Sequence, residues 1–319
     1  MSNKKCLIIL ALLIIGTLSI LQVKAIEEKP IIVCTTEVIG SVVRSYIGDR
    51  VDVVVLVNPS LCPADFDIKP SDVYAVRNAM ILFKQDIPGE FWLNGLLEAS
   101  GNEKLTQVAV PGVYNTPEGA KKYIENIGEN LTNLLDIDLS NEKDEMITAI
   151  DEVSNWMTEK ALDNEASMVK VICMQWQKAF VESAGFQVAA TYNPPETLSA
   201  SDINSLVKIA EDERVALIVD NLQIDVEFGK GIADQVGAEH VVLTNFPGAI
   251  PGTDSLAEMF QYNADQLHKA TIKWKYTSSL REEKENLENR ITLFQITTAI
   301  AVLVALLEAV FLYTGRKVR

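Results

Sequence analysis

Residues 291–313 constrain this chain more than any other feature. They form 23 residues of nearly unbroken apolar sequence. At about 1.5 Å per helical residue, such a run spans the roughly 30 Å of a bilayer's hydrocarbon. Arg316, Lys317 and Arg319 follow it, and the positive-inside rule then orients the C-terminus to the cytoplasm. Glu308 lies inside the run near its end, at a depth where a carboxylate is tolerated. A second apolar run, residues 6–23, follows Lys4 and Lys5 and ends at Val23-Lys24-Ala25. It reads as a secretory signal peptide, with an uncleaved signal anchor as the alternative.

The stretch between the two runs is then extracytoplasmic. The chain carries 28 Lys+Arg against 44 Asp+Glu, a formal charge of −16. Removing Lys4, Lys5, Lys24, Arg316, Lys317, Arg319 and Glu308 leaves 22 basic against 43 acidic side chains, so −21 sits on the exported body. That acidity argues against nucleic acid as a partner, because phosphate binding needs a basic face.

Short Val/Ile-rich runs at residues 31–33, 51–57, 79–83 and 105–110 alternate with helical spacing, as at Val38, Val42 and Tyr46. Strands alternating with helices predict a parallel, doubly wound sheet. From residue 116 to about 162 the pattern is long helix, with Ile124, Ile127, Leu131, Leu134 and Leu135 in one stripe and a break near Leu139-Ser140. Alternation resumes from residue 169 to 244, and residues 255–275 form a closing helix. Leu280, Leu287 and Ile291 continue a helical stalk toward the membrane. The expected fold class is α/β, two doubly wound parallel-sheet lobes bridged by a long helix. The expected layout is a signal peptide (1–25), an N-terminal lobe (26–115), a bridging segment (116–165), a C-terminal lobe (166–275), a stalk (276–290), a transmembrane helix (291–313) and a cytoplasmic tail (314–319).

Several segments resemble the zinc/manganese solute-binding proteins of ABC importers. Pro63, Phe66-Asp67, Pro70 and Ser71-Asp72 resemble that family's "Pro-His-x-Tyr-Glu-Pro…Pro-Ser-Asp" signature. Cys34-Thr35-Thr36 resembles the end of its first strand, with the double threonine. Gly48-Asp49-Arg50-Val51, Trp92-Leu93 and Tyr262-Asn263 with Leu267 match later segments in order, so the likeness runs from about residue 29 to 270. It implies ligand capture between two lobes bridged by a rigid helix, with an ABC permease and its ATPase as partners. The implied ligand is a divalent or soft metal ion. The family's ligand positions fall on Ala64, Gly112, Met174, Asp220 and Asn245; one keeps a carboxylate and none an imidazole, the commonest zinc donor.

Three ligand chemistries stay open. Cys34, Cys62, Cys173 and Met174 offer soft sulfur donors at strand ends, unless Cys34 and Cys62 form a disulfide and Cys173 is core. Asp65, Asp67, Asp220 and Asn245 offer hard oxygen donors. Trp92, Trp176 and Tyr192 would suit an organic ligand. The candidate metal donors are therefore Cys62, Asp65, Asp67, Met174, Asp220 and Asn245. No nucleophile-base pair or phosphate loop appears, and His240 and His268 stand alone, on a loop and on the closing helix, so a binding protein is expected rather than an enzyme. The competing expectation is a surface scaffold that kept the fold and lost metal binding.

Overall fold

A computed structural model describes residues 29–316; the expected signal peptide and residues 317–319 lie outside them. Lobe one comprises β1 (Ile31–Cys34), α1 (Glu37–Ile47), β2 (Asp52–Val55), α2 (Pro70–Asn78), β3 (Ala79–Lys84), α3 (Leu93–Ser100) and β4 (Thr106–Ala109). Its strands are parallel in the order β2-β1-β3-β4, so the winding reverses between β1 and β3. The central strands β1 and β3 are largely covered on both faces, as their lack of alternation requires, whereas the edge strands β2 and β4 are more open. α1 ends at Gly48, whose φ of 42° a side chain would resist.

Two helices make the bridge, α4 (Pro117–Leu135) and α5 (Ser140–Asp163). Pro117 sits in the first turn of α4, and the Thr116 hydroxyl caps it by accepting the Gly119 N–H at 3.1 Å. The chain breaks at left-handed Asp136, just before the predicted point. Tyr123, Ile124, Ile127 and Leu131 are buried along α4, whereas Leu134, expected in the same stripe, is exposed at the helix end.

Lobe two repeats the plan with β5 (Lys170–Met174), α6 (Lys178–Ser183), β6 (Gln187–Tyr192), α7 (Ala200–Asp212), β7 (Leu217–Asn221), α8 (Glu227–Val236) and β8 (Glu239–Leu243). Its parallel order, β6-β5-β7-β8, is that of lobe one, with the reversal between β5 and β7. Closing helix, stalk and apolar run then form one continuous helix, α9 (Leu256–Arg316), of 61 residues. Ser255 and Glu258 cap its start reciprocally. Its early turns bury Met259, Phe260, Ala264 and Leu267, and beyond Arg281 its described side chains face outward. One 18-residue window of α9 has a mean hydropathy of 2.1 and no burial, so by length and composition the helix can cross a membrane.

The inner faces of the two sheets share a core. Ile32 and Phe83 of lobe one, Ile127 and Ile150 of the bridge, Val171 and Leu217 of lobe two, and Phe260 of α9 belong to one buried cluster. Separate clusters lie outside, around Val33 and Leu82 in lobe one and around Ile172 and Ile218 in lobe two. Such a shared core resists independent swinging of the lobes.

Candidate ligand site at the lobe seam

Open α/β sheets bind ligands at the carboxyl ends of strands, where the winding reverses. Lobe one presents Thr35-Thr36 after β1 and Gln85 after β3 at that point; lobe two presents Gln177 after β5. Thr35 Oγ1 accepts the Gln85 N–H at 3.1 Å. The buried Glu90 carboxylate accepts the N–H groups of Gln85 (3.2 Å) and Asp86 (2.8 Å), holding Asp86 at a φ of 58°. The Tyr114 hydroxyl lies beside the Gln85 side chain, and burial raises its pKa well above that of free tyrosine.

Adjacent contacts cross to lobe two. Asn115 Nδ2 donates to the Trp176 carbonyl at 2.8 Å, and within lobe two the neighbouring Gln177 Nε2 donates to the Leu243 carbonyl at 3.4 Å. Gln223 Nε2 donates to Thr244 Oγ1 (3.0 Å) and across the seam to the Pro59 carbonyl (2.8 Å), while its Oε1 accepts the Asn245 N–H at 3.2 Å. Asn263 of α9 clamps both backbone groups of Thr244, at 3.0 and 2.8 Å. Gly248 lies so close to Glu37 at the start of α1 that an added Cβ would meet its Cγ at 3.6 Å. The contacts thus link Thr35 to Gln85 in lobe one and Gln223 to Asn245 in lobe two, and join the lobes through Asn115 with Trp176, Gln223 with Pro59 and the approach of Gly248 to Glu37.

Just beyond strands of the two lobes, four buried side-chain oxygens have no hydrogen-bond partner among the described residues: Thr36 Oγ1, Gln85 Oε1, Gln177 Oε1 and Asn245 Oδ1. Their residues are 1, 3, 0 and 6 % exposed. A buried acceptor left unpaired costs about 1–3 kcal/mol, so each of the four calls for a water or a ligand group.

The six predicted metal donors are distributed differently. Asn245 is on the seam. Cys62 is buried in the loop after β2, where burial raises its pKa, and Asp65 is exposed in the same loop, with Asp67 two residues on. Met174 packs on the outer face of the second sheet with Ile172 and Tyr192. Asp220 is buried beneath α8, accepting from the Tyr192 hydroxyl and from the Gly229 N–H (3.1 Å), with His240 Nε2 at 2.7 Å. His240, expected on a loop, belongs to β8 and is this carboxylate's partner. Among the described residues, no three His, Cys, Asp or Glu side chains are grouped to hold a metal.

The sulfur alternative changes too. Cys34, Cys62 and Cys173 are buried and unbridged, so the Cys34–Cys62 disulfide is not formed. Burial pushes the thiols of Cys34 and Cys173 up to about 12, which withholds the thiolate that soft metals need. The aromatic candidates are otherwise occupied: Trp92 Nε1 donates to the Pro63 carbonyl at 2.8 Å with its ring 4.3 Å from that of Phe66, and Tyr192 lies under α8 beside Phe228. Trp176 is half exposed and takes part through its backbone carbonyl.

Thr36, Gln85, Gln177 and Gln223 were not among the predicted donors. Their one signal is position: each lies one to three residues beyond an apolar strand, where a polar side chain faces the ligand end of the sheet.

Comparison with known proteins adds the following. The family model described as zinc-uptake complex component A, periplasmic, matches residues 32–270. No curated protein sequence matches the chain. Among solved structures, the periplasmic zinc-binding protein TroA from Treponema pallidum is 17 % identical, with a TM-score of 0.67, covering 76 % of this chain and 99 % of that one. The solute-binding protein FpvC of Pseudomonas aeruginosa, in complex with Ni2+, is 13 % identical with a TM-score of 0.65, covering 77 % and 98 %. The manganese-bound periplasmic metal-binding protein of Candidatus Liberibacter asiaticus is 16 % identical with a TM-score of 0.59, covering 76 % and 100 %. At these identities the structures establish the shared fold.

Proposed function

This chain belongs to the zinc-uptake complex component A family of ABC-importer solute-binding proteins, and from that membership we propose that it is a membrane-anchored receptor which captures a small cation between its lobes. It is a binding protein rather than an enzyme. In this reading residues 26–275 form the extracytoplasmic body, 276–290 the stalk and 291–313 the single membrane span, with the basic tail in the cytoplasm. The cation passes from the seam to an ABC permease driven by its ATPase.

The observation that carries this reading is the set of four buried, unpartnered oxygens just beyond the carboxyl ends of strands in both lobes. Zinc does not fit them. A closed zinc site takes about four strong nitrogen, sulfur or carboxylate donors, and the seam offers hydroxyl and amide oxygens. Of the six candidate donors, Asn245 is the one we retain.

A scaffold that kept the fold without a ligand is favoured by the lack of a donor cluster among the described residues. It is opposed by the four buried oxygens that have no partner among the described residues, each costly to leave unpaired. Native mass spectrometry with elemental analysis of the full chain in nanodiscs separates the two. One bound ion per chain is expected; a chain that carries no ion and is not stabilised by any added ion would sink the receptor reading.

A further inference from the structure

We infer that the receptor stands upright on its second lobe, so that the seam opens sideways about 40 Å above the bilayer and is read by a partner whose extracytoplasmic domain reaches that height; this rests on the membrane span of the receptor reading. Each contact across the seam joins a segment that follows a strand of one lobe to a segment that follows a strand of the other. Gln223, after β7, donates to the carbonyl of Pro59, after β2. Asn115, after β4, donates to that of Trp176, after β5, and Gly248, after β8, approaches Glu37, after β1. The two sheets therefore meet carboxyl end to carboxyl end, and their amino ends lie at opposite extremes of the body.

Helix α9 runs from the seam to the far end of lobe two. Asn263 holds Thr244 at the seam. Further along, Lys273 pairs with Glu239 at 2.6 Å and Lys275 with Glu165 at 2.8 Å, and Arg281 Nη1 donates to the Gly237 carbonyl at 2.7 Å. Glu239 begins β8, Gly237 precedes it and Glu165 precedes β5, so all three ties lie at the amino end of the second sheet. The apolar run continues from that end, which makes lobe two proximal to the membrane and lobe one distal. Eighteen residues along α9, from Asn263 to Arg281, and the nine stalk residues after it raise the seam about 40 Å. Because the lobes are stacked along α9, the seam opens across the helix axis, parallel to the bilayer.

The stalk keeps the body from tipping. Sharp kinks arise at proline, at glycine or serine pairs, or at π-bulges. Residues 282–290 contain no proline, glycine or serine, and α9 is α-helical throughout. Membrane helices tilt by about 20°, and up to about 40°, which lowers the seam by at most about a quarter. Laying the mouth of the seam on the bilayer would take about a right angle. A pore at the bilayer surface is out of reach, so whatever receives the ligand rises to the seam.

The test uses the full chain in nanodiscs whose lipid headgroups carry an acceptor dye. Donor dyes are attached through Glu211→Cys, near the amino end of β7, Ser60→Cys, beside the seam, and Lys104→Cys, near the amino end of β4. All three residues are exposed, whereas Cys34, Cys62 and Cys173 are buried, and the unaltered chain is the blank. Energy transfer should fall severalfold from residue 211 to residue 60 and be weakest from residue 104. Equal transfer from the three, or strongest transfer from residue 60, overturns the upright pose and leaves the receptor reading standing. A chain that carries no ion sinks the receptor reading but leaves this order intact. In cells, benzoylphenylalanine in place of Ser60 should cross-link to an extracytoplasmic domain of a membrane protein that co-purifies with an ATPase. Cross-links from that position to lipid, to a loop at the bilayer surface, or to nothing overturn the partner.

Discussion

Asp220 shows what a single side chain can conceal. Its type and its place near a strand end suggest a ligand, yet Tyr192, Gly229 and His240 account for its carboxylate inside lobe two. Asp220→Asn should therefore lower stability by about 1–3 kcal/mol, read as a fall in Tm, while cation binding at the seam is unchanged. A loss of ion binding at preserved Tm would instead make Asp220 a ligand. His268 carries a different consequence. It is 4 % exposed on α9, its ring lies 5.4 Å from that of Phe186, and neither ring nitrogen has a hydrogen-bond partner among the described residues. Burial lowers its pKa below that of free imidazole, reinforced by Lys160 and opposed by Asp265. The unfolded chain thus takes up the proton first as pH falls, so His268 adds no pH-dependent cost near pH 8 and destabilises progressively below the ordinary histidine value, about 6.5. His268→Leu should flatten that part of the Tm-against-pH curve between pH 7.5 and 5; parallel curves for the two proteins would refute the assignment.

The elements were largely legible because each obeys one periodicity. Apolar runs of four to six residues became strands, and stripes such as Val38, Val42 and Tyr46 became helix faces. The misreadings have local causes. β8 starts earlier than expected because Glu239 and His240 are polar, yet they pair with Leu217 and Ile218 on the sheet edge. The stalk is continuous with its neighbours because residues 256–314 contain neither proline nor glycine, so nothing stops α9. Helix contacts, by contrast, are set by close approaches that no periodicity encodes. A Cβ on Gly128 of α4 would lie 2.3 Å from the hydroxyl of Tyr46, which donates to the Ile124 carbonyl. Gly128→Ala should cost about 1–3 kcal/mol by overpacking α1 against α4. Adding Tyr46→Phe should recover part of that loss, and a double-mutant cycle with no coupling would reject the clash as its origin.

For the whole molecule, the two-lobe plan was readable from strand–helix alternation, and its duplicated strand order explains why two winding reversals meet at one seam. The site was not readable, because glutamine, asparagine and threonine are common after strands. Only pairing across the seam, as of Gln223 with Pro59, distinguishes these from ordinary loop residues. The unbroken α9 makes a prediction at this scale. Two alanines inserted after Glu285 would turn the body about 200° relative to the span and lift it about 3 Å. Ion affinity should hold while ion uptake by cells falls; undiminished uptake would show that the stalk does not couple body to span. In the proposed arrangement this helix also changes how the receptor searches. The nine stalk residues beyond Arg281, which still bonds the Gly237 carbonyl, place the body about 14 Å above the bilayer. A receptor leashed in so thin a layer meets a permease by lateral diffusion in the membrane plane, which confines the search relative to free solution. Weak docking is then sufficient, and the receptor can let go of the permease as readily as it finds it.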